Sequence, residues 1–187
     1  MRLAGKVAIV TGGGSGFGAG IVRKFAAEGA KVLVADINEA AARGVAAEIG
    51  AAAHGMKVAV TSTADVRAMV DEAERRFGPL DILVNNAGRG HLPQPLEGLP
   101  EDEFDALGTL NMKSIYLAMR EVVPRMKSRK KGVVLNMAST AGVSPRPRLA
   151  WYNASKGWVI TATRANAVEL APTQTTNAPS ANRALTK

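Results

Sequence analysis

Tyr152 and Lys156 stand four residues apart in "WYNASK", with small residues between them. On a helix that spacing puts a phenol and an ammonium on one face, a turn apart. Such a pair is either an ordinary surface contact or a device in which the lysine alters the acidity of the tyrosine. Ser139 lies thirteen residues upstream, at the end of an apolar run. Earlier still come a glycine-rich turn, a lone aspartate and a pair of asparagines, each directly after an apolar run. The chain has no cysteine, which excludes disulfides, thiolate metal sites and cysteine nucleophiles. His54 and His91 are far apart and lack metal-ligand spacing, so they read as loop residues and no metal site is expected.

A chain of 187 residues, 47% of them apolar, suffices for one domain with a sizeable core. "KVAIV" (6–10) reads as a buried strand, and 16–29 as a helix ending at Gly29. "KVLVAD" (31–36) is a second strand. A helix over 38–50 follows, with Asn38 as its N-cap and Gly50 as its stop. "MKVAV" (56–60) is a third strand. The helix over 62–78 is opened by Ser62, with Asp65 in the acidic capping position. "LDILVN" (80–85) is a fourth strand, then come a Gly/Pro-rich loop to about residue 100 and a long helix over 101–127. "GVVLNMAS" (132–139) is a fifth strand, and another helix begins near Tyr152. Strands that are apolar throughout, alternating with helices, specify a parallel sheet covered on both faces. The fold class is therefore α/β, a Rossmann-type doubly wound parallel sheet with five strands evident.

Ligands of such sheets bind beyond the C-terminal ends of the strands. The first strand runs into "TGGGSGFG" (11–18), with Gly12, Gly16 and Gly18 spaced to form a tight turn ahead of a helix. Backbone N–H groups of such a turn can approach a pyrophosphate at the helix N-terminus. Ser15 and Phe17 belong to the same loop. The absence of a G-K-[ST] sequence argues against a nucleoside triphosphatase loop. Asp36 ends the second strand, where a carboxylate can bond the adenosine ribose hydroxyls and would repel a 2′-phosphate. It favours NAD over NADP; its alternative role is to cap the next helix. "NNAG" (85–88) ends the fourth strand. Ala87 and Gly88 leave room for a flat ligand, and Asn85 and Asn86 can tie neighbouring loops together.

The formal charge is +8, which raises the question of nucleic acid. The densest basic cluster, "PRMKSRKKG" (124–132), has no interleaved aromatics, and aromatics are 4% overall. It reads as a solvated helix end, because stacking platforms for bases are missing. A nucleic-acid-binding reading rests on charge alone. No run approaches the roughly 18 apolar residues of a membrane span, and the first apolar run is too short for a signal peptide. The expectation is a cytoplasmic protein with no membrane or nucleic-acid partner.

Taken in order, "TGGGSGFG", Asp36, "NNAG", Asn111 in "LNMKS", Ser139 in "NMAST" and "YNASK" resemble the short-chain dehydrogenase/reductase family in its classical form. The resemblance covers residues 1 to about 171, taken as one dinucleotide-binding domain that also carries the catalytic residues. It implies that Tyr152 is the general acid for carbonyl reduction or the base for alcohol oxidation. A phenol ordinarily keeps its proton at neutral pH; Lys156 would favour the phenolate and hydrogen-bond the nicotinamide ribose. Ser139 would orient the substrate oxygen, and Asn111 would anchor a water beside Lys156. The implied cofactor-binding set is Gly12, Ser15, Gly16, Phe17, Gly18, Asp36, Asn86, Ala87 and Gly88, with Tyr152 and Lys156. The implied function is an NAD-dependent oxidoreductase interconverting a secondary alcohol and a ketone. Its substrate would be that of a 3-oxoacyl reductase or of a sugar, polyol or small-alcohol dehydrogenase. A homodimer or homotetramer is implied where the family's C-terminal elements are present.

The sequence departs from the family pattern in four places. Ala59-Val60 stand where an Asp-Val pair is usual, which should weaken adenine binding. Arg89 follows "NNAG" in place of an apolar residue. Asn166 interrupts the last helix, and Gly108 weakens the long helix by roughly 1 kcal/mol relative to alanine. After "ELAP" (169–172) comes "TQTTNAPSANRALTK", with few bulky apolar residues. Residues 172–187 are expected to form a disordered tail, the family's strands six and seven are not evident, and the C-terminus looks truncated. The fifth strand would then be an edge. The alternative function is accordingly a catalytically impaired dinucleotide-binding remnant.

Overall fold

The computed structural model describes residues 1–171 and the backbone of 175–179. Strands β1 (Val7–Thr11), β2 (Lys31–Asp36), β3 (Ala53–Lys57), β4 (Ile82–Asn85), β5 (Gly132–Asn136) and β6 (Thr175–Pro179) form one sheet. The order is β3-β2-β1-β4-β5-β6, and every pairing is parallel. Helices α1 (Gly16–Ala27), α2 (Glu39–Ile49), α3 (Thr63–Phe77), α4 (Glu101–Gly108), α5 (Ser114–Ser128) and α6 (Ala150–Leu170) connect them. The order reverses at β1 and β4, so the C-terminal ends of these two strands open the crevice in which such sheets bind ligands.

Successive residues of each strand point to opposite faces, which is why the strands are apolar throughout. Val7 and Ile9 of β1 pack with Val66, Met69, Leu117 and Val122 of α3 and α5. Ala8 and Val10 pack with Val22, Ala42 and Val45 of α1 and α2 on the other face. Ser62 caps α3 by accepting the Asp65 N–H at 3.2 Å, and its hydroxyl donates to the Asp65 carboxylate at 2.9 Å. Asn38 caps α2 by accepting the Ala41 N–H at 3.1 Å. Asp36 is therefore not the cap of that helix.

Three elements differ from expectation. The third strand lies at Ala53–Lys57, not 56–60. Gly55 explains the shift: a Cβ there would stand 2.5 Å from the Arg43 nitrogen and 2.6 Å from the Ala42 oxygen, so only glycine lets the strand lie this close to α2. The more apolar run that follows instead turns over the core, with Val58 fully buried. The long helix over 101–127 is interrupted by a π-helical turn at Thr109–Lys113, directly after Gly108, the weak point of its pattern.

The third difference is β6, in a segment expected to hold no strand. It runs parallel to β5, from Thr175 opposite Gly132 to Pro179 opposite Asn136, so β5 is not an edge. Such a strand is held through its backbone ladder, which does not depend on bulky apolar residues. The rest of the segment expected as a disordered tail, 172–174 and 180–187, lies outside the described residues.

The basic cluster is partly neutralised rather than simply solvated. Arg125 pairs with Asp71 at 2.7 Å and Glu74 at 2.8 Å, and Lys131 pairs with Asp81 at 3.1 Å. Among the described residues, no helix is long and apolar enough to cross a membrane.

A buried polar chain fixes the strand ends relative to α6. Asn85 donates to Asn136 at 2.8 Å, Asn136 donates to Thr163 at 3.0 Å, and Thr163 donates to the Val159 carbonyl at 2.6 Å. Thr163→Val keeps the shape but removes both bonds of the Thr163 hydroxyl, to Asn136 and to the Val159 carbonyl. We expect a loss of about 1–3 kcal/mol, read as a lower urea midpoint at unchanged slope. An unchanged midpoint would show that the chain contributes nothing.

Candidate active site

The glycine turn follows from backbone geometry. Gly12 and Gly16 have φ of 62° and 51°, in the left-handed region that favours glycine. A Cβ on Gly18 would stand 2.0 Å from the Gly12 oxygen, so any larger residue forces the turn open. The N-terminus of α1 thereby faces the crevice, with Ser15 at the N-cap making no side-chain cap bond and no acidic residue in the first turn. Orphan N–H groups and the helix dipole favour an anion there.

Three ties hold this turn against its neighbours. Thr11 Oγ1 donates to the Val84 carbonyl at 3.2 Å and accepts the N–H groups of Asn86 and Ala87 at 3.0 and 3.1 Å. Asn86 Nδ2 donates to the carbonyls of Thr11 and Gly12 at 2.9 and 3.1 Å, the loop-tying role expected of it. The Asp36 carboxylate accepts the Gly14 and Asn38 N–H groups at 2.9 and 3.0 Å. Asp36 thus stands beside the glycine turn, as a ribose-binding carboxylate must.

All of Gly12, Ser15, Gly16, Phe17, Gly18, Asp36, Asn86, Ala87 and Gly88 line one cleft of about 550 Å³. Ala59 and Val60 line it as well, so the place expected for the family's aspartate faces the cleft with an apolar pair. The neighbouring Asp65 does not substitute for it. Its carboxylate accepts the Ala59 N–H at 2.9 Å, and that bond, followed by the Ser62 hydroxyl, holds it below the ordinary carboxylate range.

Beyond Gly88 the cleft meets α6. A Cβ on Gly88 would lie 3.1 Å from Asn111 Oδ1 and 3.4 Å from Lys156 Nζ, so both groups converge on this glycine. Lys156 is 7% exposed and donates to the Met137 carbonyl at 2.9 Å. Burial pushes its pKa below the ordinary lysine value. Its Nζ lies 6.0 Å from the centroid of the half-buried Tyr152 ring. Both side chains thus share the face that the four-residue spacing predicts.

Asn111 occupies the centre of the π-helical turn. Its Oδ1 accepts the Arg89 N–H at 3.0 Å, and its Nδ2 donates to the Arg89 carbonyl at 2.9 Å and to Ser155 Oγ at 3.0 Å. Ser155 donates in turn to the Tyr152 carbonyl at 2.8 Å. A helix interrupted at Asn111 is therefore pinned to the turn that carries Tyr152. Ser139 lies past the end of β5, where its hydroxyl accepts the Ala141 N–H at 3.2 Å and opens a short 3₁₀ turn. That turn abuts α6 at Lys156: a Cβ on Gly142 would stand 2.6 Å from the Lys156 carbonyl carbon.

Several residues that build the site escape sequence reasoning. Thr11 and Ser155 are common polar residues whose roles appear only across elements, and Met137 contributes a backbone carbonyl that no side-chain pattern reveals. Arg89 anchors Asn111 through its backbone, while its guanidinium stands 3.9 Å from Glu103.

The chain is similar to known proteins over most of its length. A family model described as short chain dehydrogenase matches residues 6–178. A 4-formylbenzenesulfonate dehydrogenase of Comamonas testosteroni is 46% identical, over 91% of this chain and 69% of that protein. A galactitol 2-dehydrogenase of Agrobacterium fabrum is 41% identical, over 91% and 66%. The chain thus spans about two thirds of the length of these relatives. The crystal structure of a 3-ketoacyl-(acyl-carrier-protein) reductase from Brucella melitensis, complexed with NADH, superposes with a TM-score of 0.93. It is 47% identical, and the match covers 95% of this chain and 75% of that one. An NAD+-bound xylitol dehydrogenase superposes with a TM-score of 0.91 at 32% identity, over 96% and 70%. With the glycine turn, the crevice and the Tyr152–Lys156 face all in place, the chain belongs to the short-chain dehydrogenase family of NAD(P)-dependent oxidoreductases.

Proposed function

We propose that the chain binds NAD in the cleft from Gly12 to Gly88 and interconverts a secondary alcohol and a ketone. The observation that carries this reading is the placement of Lys156. Its ammonium is buried where Gly88 and Asn111 meet, one helical turn from Tyr152 and at the end of the cleft. The residues fit a dinucleotide: a helix N-terminus and glycine turn for the pyrophosphate, Asp36 for the adenosine ribose, and Gly88 leaving space for a flat ring. Bound there, the nicotinamide supplies or takes up the hydride.

The protein's own part is proton transfer and orientation. Tyr152 gives a proton to the substrate oxygen in reduction and takes it in oxidation. Lys156 holds an ammonium 6.0 Å from the centre of the Tyr152 ring and donates to the nicotinamide ribose. Ser139 orients the substrate oxygen and stabilises its developing charge. Asn111, already tied to Arg89 and Ser155, fixes the approach of proton-relaying water to Lys156. The relatives' names share a carbonyl or hydroxyl as the reacting group, and the reading keeps to that level. The groove between α5 and α6, lined by the exposed Tyr116 and Trp158, is the surface this reading assigns to a homodimer or homotetramer contact.

Cofactor choice is tested at Asp36. Asp36→Ala should weaken NADH binding by about 10- to 100-fold, the effect of losing a charged hydrogen-bond acceptor, and should narrow the preference over NADPH. Fluorescence titration measures both. Wild-type affinity in the variant would remove Asp36 from the cofactor site.

A further inference from the structure

His91 lies in the loop after β4, 61 residues before the tyrosine whose backbone it reaches. The Tyr152 N–H donates to His91 Nε2 at 3.4 Å, and His91 Nδ1 stands 2.8 Å from the Leu92 carbonyl. One neutral tautomer satisfies both contacts: Nδ1 carries the proton and donates to Leu92, and Nε2 is left as the acceptor.

That acceptor meets a need at the start of α6. The first N–H groups of a helix have no partner within it. Leu149 occupies the N-cap and makes no side-chain cap bond. Tyr152 is the third residue of the helix, where a cap side chain normally accepts the N–H. His91 supplies the missing acceptor from another element. The loop around it is fastened to the same place. Gln94 N–H donates to the Arg148 carbonyl at 2.9 Å, and Trp151 Nε1 donates to the Leu96 carbonyl at 2.9 Å. Gly90 lies against the Tyr152 ring: a Cβ there would stand 3.8 Å from Cδ2.

We propose that His91 is a positioning residue, its imidazole capping α6 from outside at the Tyr152 N–H and thereby fixing where the phenol meets the substrate oxygen. The proposal rests on the reading of Tyr152 as the proton-transfer residue. It requires the acceptor nitrogen rather than the bulk of the ring.

Two variants separate acceptor from bulk. His91→Phe keeps a ring without an acceptor, whereas His91→Gln keeps an oxygen able to accept the Tyr152 N–H. We expect His91→Phe to lower kcat about tenfold with NADH affinity unchanged, and His91→Gln to stay within about threefold of wild type. Amide exchange at Tyr152 should quicken in His91→Phe alone. A wild-type kcat in His91→Phe, an equal loss in His91→Gln, or unaltered Tyr152 exchange in His91→Phe would each overturn the proposal. Should His91→Phe fail to fold, wild-type exchange decides: a protected Tyr152 amide supports the cap, and one exchanging at the open-chain rate overturns it. Failure of the Tyr152 reading would look different, as wild-type and Tyr152→Phe proteins of equal activity.

Discussion

Tyr152→Phe should lower kcat by about 10²- to 10⁴-fold, the span usual for losing a general acid or base, and should change NADH affinity far less. The substitution removes one oxygen. The ring that packs against Gly90 remains, and so do the Tyr152 carbonyl that accepts from Ser155 and the N–H that faces His91. The helix has no reason to move, so the lost rate reports the hydroxyl. Following NADH absorbance across a panel of secondary alcohols and ketones gives kcat, and fluorescence titration gives cofactor affinity. Turnover that survives the substitution would sink the assignment of Tyr152. A wild-type chain that binds NADH but turns nothing over would instead leave a dinucleotide-binding remnant.

Much of this site was legible because its chemistry sits at strand ends, and strand ends are legible. Apolar runs mark where β1, β2 and β4 stop, whereas the run over 132–139 continues three residues past the end of β5 at Asn136. The residues immediately beyond must then face one crevice, whatever holds them there. The glycine turn, Asp36 and Gly88 accordingly line a single cleft. Helical spacing likewise placed Tyr152 and Lys156 on one face. Interactions across elements were not legible. Nothing in the sequence near Thr11 says that its hydroxyl collects two N–H groups from the end of β4. Nothing near His91 says that its ring faces a helix 61 residues on.

The other misses share a cause: local pattern yielded to tertiary fit. The third strand moved because Gly55 permits close contact with α2, an advantage that apolar patterning does not register. The π-helical turn arose where Gly108 weakens the helix and Asn111 gains three bonds outside it. Strand β6 formed on backbone pairing with β5, which requires little of the side chains. Two of these three concern the site directly. The shifted strand brings Ala59 and Val60 to the cleft, and the π-turn presents Asn111 to Gly88 and Lys156. The places where simple patterning fails are here the places where the site is built.

Lys156→Met should separate function from stability by moving them in opposite directions. Turnover should fall by about 10²- to 10⁴-fold, as for loss of a proton-transfer partner, because nothing cationic remains at the meeting point of Gly88 and Asn111. Stability at neutral pH should rise by about 0.5–2 kcal/mol, the gain common when a functional compromise is relieved. The lysine is 7% exposed, its ammonium donates to the Met137 carbonyl, and burial lowers its pKa from the ordinary 10.5. A folded state that holds this proton less tightly than the unfolded chain is penalised below the folded pKa. The penalty fades as pH rises through the window from that depressed value towards 10.5, where the unfolded chain carries the extra proton. Wild-type stability should therefore gain relative to Lys156→Met as pH rises through this window. Methionine fills similar space without a charge, and a carbonyl that loses its donor is tolerated better than an orphaned N–H. Urea unfolding at several pH values measures the difference. A variant less stable than wild type at neutral pH would mean that the Met137 bond outweighs desolvation; an active one would end the proposed role of the lysine.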